Sequence, residues 1–219
     1  MGFAVAGARL AITTCSNDDL LTPPTKLADR GVLALPGSVA ELDMASWLAR
    51  AVVAQYGGLD VLANMASPNG MPGPAHERLR LAGIPGVNSS GTVFCCRAAA
   101  RHMISNKDRG TVNVSSVHGN TGIEHTVGYG PGKGGGENLT RSLAPGAMRV
   151  KGQAAGYFRA QFAVRHQAGT SGRRVRAGIP LGRIGEREEL AGAAVSLTGG
   201  AFLHVTGAVL PVEGSWTAR

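Results

Sequence analysis

The sequence predicts a doubly wound α/β fold, a parallel sheet covered by helices on both faces in three layers. Three observations carry this. Short apolar runs alternate with helical segments of about 12 residues or more. The runs are apolar throughout rather than polar at every second position, as strands covered on both faces should be. No internal repeat and no linker divides the 219 residues, so one domain spanning 1–219 is expected.

The elements follow in order. Met1–Gly7 reads as the end of a helix closed by Gly7. Ala8–Thr13 and Val32–Leu35 read as short strands, the second stopped by Pro36 and Gly37. The polar stretch between them contains Pro23 and Pro24 and carries at most a broken helix. Leu42–Tyr56 is a helix with Trp47, Leu48, Ala51, Val52 and Tyr56 on or near one face, ended by Gly57 and Gly58. Leu59–Ala63 is a buried strand, and 64–86 is a loop rich in Pro and Gly. Val87–Ser105 is a second long helix, Thr111–Ser115 a strand and 116–128 a loop. Tyr129–Leu143 reads as helical despite Pro131 and its glycines, and Met148–Val150 begins another strand. Segment 157–185 reads as irregular; Glu186–Leu197 is a helix with glutamates in its first turn, and Ala208–Val212 is the last strand. Sites in such sheets lie beyond the carboxyl ends of the strands. That points to residues 14–17, 36–39, 64–67, 115–118 and 155–160.

Composition excludes several classes. Hydrophobic residues make up 43%, which argues against wholesale disorder. No apolar run approaches the roughly 18 residues of a membrane span, and no charged-then-apolar leader is seen. The formal charge of +8 suggests nucleic acid, but the basic residues are scattered. Their densest group, Arg173, Arg174 and Arg176, lacks interleaved aromatics, so no nucleic-acid partner is expected. The 3 cysteines cannot form a disulfide framework. Cys95 and Cys96 read as buried thiols, which suits a reducing, cytoplasmic compartment. No Cys/His spacing resembles a metal site.

Chemistry concentrates at two strand ends. Ser115 and Ser116 close a strand, and Tyr129 and Lys133 share one face of the helix that follows. A phenol titrating near 10 is a poor acid or base at neutral pH. An ammonium one turn away favours its phenolate, and a serine hydroxyl reaching the same place can hold a substrate oxygen. Such a set can move a proton to or from a carbinol oxygen. His118 and His125 flank it and read as solvent-exposed loop residues.

In order and spacing these motifs resemble the short-chain dehydrogenase/reductase family. Tyr129-Gly130-Pro131-Gly132-Lys133 is similar to its YxxxK motif, with Ser116 at the family's spacing before it. Asn64-Met65-Ala66-Ser67 resembles its NNAG, and Val87-Asn88 the helix start that supplies an asparagine. Pro180–Arg183 and Thr206–Gly214 resemble its closing motifs. The resemblance implies a Rossmann-like fold and NAD- or NADP-dependent interconversion of a carbonyl and a secondary alcohol, 3-oxoacyl-reductase-like or related. It implies Ser116 as the group polarising the substrate oxygen and Tyr129 as acid or base. Lys133 would act on the tyrosine and on the nicotinamide ribose, and Asn88 would hold a relay water. Gly2, Thr14, Cys15, Ser38, Val39, Asn64, Ala66, Lys133 and Gly156 fall on cofactor-binding positions. A homo-oligomer, dimer or tetramer, is implied through the helices 87–105 and 129–143, with Val93, Phe94 and Ala98 available for packing.

The sequence also departs from that family. The first strand and most of the glycine-rich phosphate loop have no counterpart, so six strands are expected where the family has seven, with the flank of a central strand bared. Ser38 replaces an adenine-side Asp, Met65 an Asn and Ser67 a Gly. Five glycines between 130 and 136 weaken the YxxxK helix by up to about 1 kcal/mol each. Two readings stay open: an oxidoreductase of this family, or an inactive relative that binds no dinucleotide.

Overall fold

The computed structural model describes residues 2–15, 31–67, 86–105, 109–123, 129–146, 148–159 and 169–218. Its strands are β1 (Ala11–Thr14), β2 (Leu33–Pro36), β3 (Val61–Asn64), β4 (Gly110–Ser116), β5 (Arg149–Ala155) and β6 (Val209–Val212). Its α-helices are α1 (Gly2–Val5), α2 (Leu42–Tyr56), α3 (Thr92–Met103), α4 (Tyr129–Leu143), α5 (Gly169–Ala177) and α6 (Arg187–Thr198).

Every strand pair is parallel, as apolar runs joined by helical crossovers require. The six expected strands are present, but not as one sheet. β1 pairs with β2 alone, while the other four run in the order β3-β4-β5-β6. Among the described residues β1 and β3 therefore each keep one edge without a strand partner. The β3–β4 register sets Asn64 opposite Asn113. Positions just past these strands then lie level at the carboxyl edge, and this places the site.

Helix α2 has the predicted bounds. Gly57 ends it at φ 79° and donates its N–H to Val53 O at 2.8 Å, a left-handed stop that suits glycine. The second long helix departs from expectation. Its first six residues, Gly86–Gly91, form a π-helical turn before α3 begins, and Asn88 lies inside that turn. Phe94 packs on the alanine cluster Ala45, Ala49 and Ala98 that joins α3 to α2. Ala98 is itself buried, so neither it nor Phe94 stands ready for a partner as expected; Val93, 40% exposed, does. The segment read as irregular contains α5, and two of its three arginines, Arg174 and Arg176, fall in the last turn. There their charge opposes the negative end of the helix dipole. The polar stretch 16–30, the loop 68–85 and His125 lie outside the described residues.

The core under the four-stranded sheet is aliphatic. Ala99, Met103, Met148 and Val150 pack together with Leu59, Leu62 and Leu143 around them. Lys151 is buried beside it on β5, and its ammonium donates to Leu197 O in the last turn of α6. Cys96 is buried as expected, whereas Cys95 is only half-buried; burial pushes their thiols up to about 12 and about 11. Among the described residues no helix is long and apolar enough to cross a membrane.

Met103 is 0% exposed at the centre of this core. Truncating it leaves a cavity that its neighbours only partly fill. Met103→Ala should lower the unfolding free energy by about 2–5 kcal/mol, measured by urea denaturation.

Candidate active site

Three elements build the site: the carboxyl ends of β3 and β4, the first turns of α4, and the π-helical turn before α3. Ser116 is the last residue of β4, extended at φ −150° and ψ 155°. The chain then turns through a 3-10 helix at Val117–Gly119, whose His118 N–H donates to Ser116 Oγ at 3.3 Å.

Helix α4 holds its shape through contact rather than propensity. A Cβ on Gly134 would sit 2.9 Å from Gly119 O, so backbone meets backbone between helix and turn. Ser89 Oγ donates to Gly132 O at 3.2 Å, which ties the π-helical turn to the same helix. The glycines that cost helix propensity thus admit two neighbours that a side chain would exclude. Buried Glu137 completes the hold. Its Oε1 accepts from Asn120 Nδ2 at 3.0 Å and lies 2.9 Å from the Ser115 hydroxyl. That hydroxyl is also 3.0 Å from Lys133 O. Arg141, on the next turn, stands 3.5 Å from the other carboxylate oxygen.

The hold brings Ser116, Tyr129 and Lys133 together. The hydroxyls of Ser116 and Ser67 stand near the Tyr129 phenol. Burial pushes its phenol above the ordinary value, and the two serine contacts pull it down. Lys133 is buried, its ammonium 2.9 Å from Val114 O and 5.7 Å from the Tyr129 ring centroid. Burial pushes its own pKa down to about 8. The lowering of the tyrosine expected from lysine comes instead from two hydroxyls. Asn88 is 4% exposed, and neither of its amide atoms has a hydrogen-bond partner among the described residues. A buried amide so placed suits a water or a ligand oxygen.

The remaining named positions are spread along the carboxyl edges. Thr14 ends β1 and Cys15 follows it, exposed; Ser38 and Val39 follow β2, and Val39 packs against Gly91. Asn64 ends β3, but its amide faces inward, donating to Asn113 Oδ1 at 2.8 Å and to Cys96 Sγ at 3.4 Å. Ala66 lies just beyond and is exposed. Gly156 follows β5, where a Cβ would meet Glu213 Cα at 2.7 Å. Gly2 packs α1 on α6, where a Cβ would meet the Ala191 Cβ at 2.8 Å.

His118 is not the exposed loop residue that the sequence suggested. It is 6% exposed and packs edge-on to Tyr129 with ring centroids 5.5 Å apart. Its Nε2 lies 3.4 Å from Tyr157 Oη, and the Tyr157 ring packs at a tilt on Trp216, centroids 4.9 Å apart. Sequence reasoning passed over Tyr157 as a loop residue. Its position two residues past Ala155, which pairs with Ser116 of β4, was the available signal.

With this geometry in view, the relatives become informative. The family described as enoyl-(acyl carrier protein) reductase matches residues 1–217. The chain is 33% identical to cis-4-hydroxycyclohexanecarboxylate dehydrogenase of Sinomonas cyclohexanicum, over 82% of this chain and 74% of that one. It is 30% identical to glucose 1-dehydrogenase of Gluconobacter oxydans, over 98% of this chain and 85% of that one. Gluconate 5-dehydrogenase of Burkholderia cenocepacia, solved with NADP and tartrate, superposes with a TM-score of 0.90 at 27% identity. That match covers 100% of this chain and 89% of the other. The chain belongs to the short-chain dehydrogenase/reductase family of oxidoreductases, and its fold is the Rossmann-like one that the motifs implied.

Burial holds the His118 imidazole below its ordinary pKa. The unfolded chain therefore binds this proton first. The stability this neutral side chain contributes is complete above about pH 6.5 and is lost as pH falls from there through the folded-state value. The urea midpoint of the parent should fall further between about pH 7.5 and about pH 5.5 than that of His118→Gln. Equal falls would show that His118 is not the titrating group.

Proposed function

We propose that the chain interconverts a secondary alcohol and a ketone on a small hydroxylated substrate, with NAD or NADP as the hydride partner. One observation carries the reading: the Tyr129 phenol is buried near the Ser116 hydroxyl at a strand end, with the buried Lys133 ammonium 5.7 Å from the centroid of its ring. A bound nicotinamide supplies the acceptor or donor of hydride at the substrate carbon. In the oxidising direction Tyr129, as phenolate, takes the carbinol proton. In the reducing direction its phenol returns that proton to the carbonyl oxygen. Ser116 donates to the same substrate oxygen and fixes its place. Lys133 has three N–H donors and gives one to Val114 O, so two are left for the hydroxyls of a ribose. The orphaned amide of Asn88 is the second feature that fits, as the seat of a water that carries the proton outward. Thr14, Cys15, Ser38 and Val39 would meet the adenosine end, and Ala66 and Gly156 would flank the nicotinamide. Asn64 would act from behind, by fixing the strand end.

The named relatives act on glucose, gluconate and a hydroxycyclohexane carboxylate. A polyol or a hydroxylated ring is therefore the substrate class to try first, before 3-oxoacyl thioesters. We further propose a dimer or tetramer joined through α3 and α4, where α3 turns Val93, Arg97, Arg101 and Ile104 outward. The reading assigns the whole chain to one domain and the protein to the cytoplasm.

The test is a dinucleotide absorbance assay with polyols, cyclic hydroxy acids and oxoacyl thioesters, using either cofactor. Tyr129→Phe deletes the ionisable hydroxyl and leaves the ring to pack. It should cut turnover by at least about 10²-fold, the low end of a general acid–base contribution. A variant keeping more than half the parent rate would move the proton by another route and sink the assignment.

A further inference from the structure

Tyr129 stands at a helix end that does little to hold it. It is the first residue of α4, and Gly130 follows it. The first turn of a helix has backbone N–H groups without intrahelical partners, and glycine there leaves the backbone freer than other residues would. A ring so placed needs support from other elements, and the parallel register supplies it. Ser116 of β4 pairs with Ala155 of β5, and Ala155 pairs with Val212 of β6. Two residues past this row on the first chain segment comes His118, two past it on the second comes Tyr157, and four past it on the third comes Trp216. The chain has 3 tyrosines and 2 tryptophans, and two of the former and one of the latter meet here. The rings form a line. His118 stands edge-on to Tyr129 with centroids 5.5 Å apart and tilted to Tyr157 at 6.0 Å, and Tyr157 packs on Trp216 at 4.9 Å.

We infer that Tyr157 is a positioning residue for Tyr129 and acts through the His118 imidazole. The inference rests on the reading of Tyr129 as the proton-transfer group. The main chain of His118 is fixed, its N–H donating to Ser116 Oγ, but the ring can still turn about its side-chain bonds. Nδ1 is buried with no hydrogen-bond partner among the described residues. Nε2 lies 3.4 Å from Tyr157 Oη, so the Tyr157 hydroxyl is the polar contact that sets the rotation of the ring. An edge-on pair depends on that rotation, because ring edge must meet ring face. Tyr157 needs a seat in turn, and the chain past β6 is shaped to give one. Gly214 and Ser215 are both left-handed, at φ 66° and 68°. A serine holds that conformation only where its surroundings enforce it. Glu213 Oε2 accepts from the Thr217 N–H at 2.8 Å and closes the turn. Trp216, carried within it, lies so close to Gly178 that its ring leaves no room for a Cβ there.

The deciding measurement needs no turnover. Tyrosine isotopically labelled at the hydroxyl-bearing ring carbon gives one nuclear magnetic resonance line for each of the 3 tyrosines, and Tyr129→Phe identifies the line of Tyr129. Tyr157→Phe deletes one hydroxyl and keeps the ring on Trp216. It should displace the Tyr129 line in the parent. In a His118→Gln background the same change should leave that line in place, because the link between the two tyrosines is gone. Trp216→Leu removes the seat but not the hydroxyl and should also displace the line. An undisplaced line in Tyr157→Phe overturns the inference, and so does an equal displacement with and without His118. If Tyr157→Phe does not fold, Trp216→Leu decides on the same two outcomes. With a substrate that turns over, Tyr157→Phe should lower kcat about tenfold at a KM within about twofold of the parent, because a misplaced proton-transfer group slows the step without loosening the substrate. A raised KM at the parent kcat would make Tyr157 a substrate contact and overturn the inference. A parent with no turnover on any substrate would count against the proposed reaction, while the Tyr129 line would still decide the role of Tyr157.

Discussion

The buried carboxylate of Glu137 is the contact on which the site depends. It joins three pieces of chain at one point: the end of β4 through Ser115, the turn after it through Asn120, and α4 itself. A carboxyl group that is 2% exposed must be matched by donors; Ser115 and Asn120 meet one of its oxygens, and Arg141 stands 3.5 Å from the other. The arrangement fixes Ser116, the immediate neighbour of Ser115, against the first turn of α4, which carries Tyr129. Glycine makes the approach possible. Had Gly134 a side chain, the turn at Gly119 would stand off from the helix. The helix therefore exchanges intrinsic stability for a close seat. In a glycine-rich helix the tertiary contacts must supply what propensity does not.

Burial then sets the electrostatics. The same packing that aligns Ser116, Tyr129 and Lys133 removes them from water. This disfavours the charged form of each: the phenol is pushed up and the ammonium down to about 8. A free-standing pair would show the reverse, each partner stabilising the other's charge. The proton on Tyr129 is thus balanced between desolvation, which retains it, and hydroxyl donors, which release it. His118 sits edge-on to the same ring and is held neutral by the same cause. A neutral imidazole adds no repulsion to the lysine charge beside it, which a cation there would do.

The fold was legible because its signals are local and repeat. Apolar runs separated by helical segments define a parallel sheet wherever they occur, and both α2 and α4 have the bounds that their patterns suggested. What escaped was non-local. The glycines of α4 read as weakness because Gly119, their reason, lies across a loop. His118 read as exposed because its cover, Tyr129 and Tyr157, comes from two other elements. The π-helical turn around Asn88 has no composition of its own. The arginines of α5 hid a helix behind glycine and serine, whose propensity is poor.

The division of the sheet bears on how the proposed cofactor positions are held. Ser116 and Asn64 belong to the four-stranded sheet, where parallel ladders and the aliphatic core fix every strand end. Thr14, Cys15, Ser38 and Val39 belong to the β1–β2 pair or its ends, which the described contacts attach to the rest chiefly through side chains. Tyr56 donates from the end of α2 to Leu10 O at 2.8 Å, and Arg9 returns a bond to Tyr56 O at 2.9 Å while lying over its ring. Side-chain contacts of this kind constrain a strand pair less than a continuous ladder does, and local opening follows the number of such constraints. The proposed reaction separates along the same line. Proton transfer needs atoms held within hydrogen-bond reach and lies on the rigid sheet. In the same proposal the adenosine end of the dinucleotide meets the β1–β2 pair.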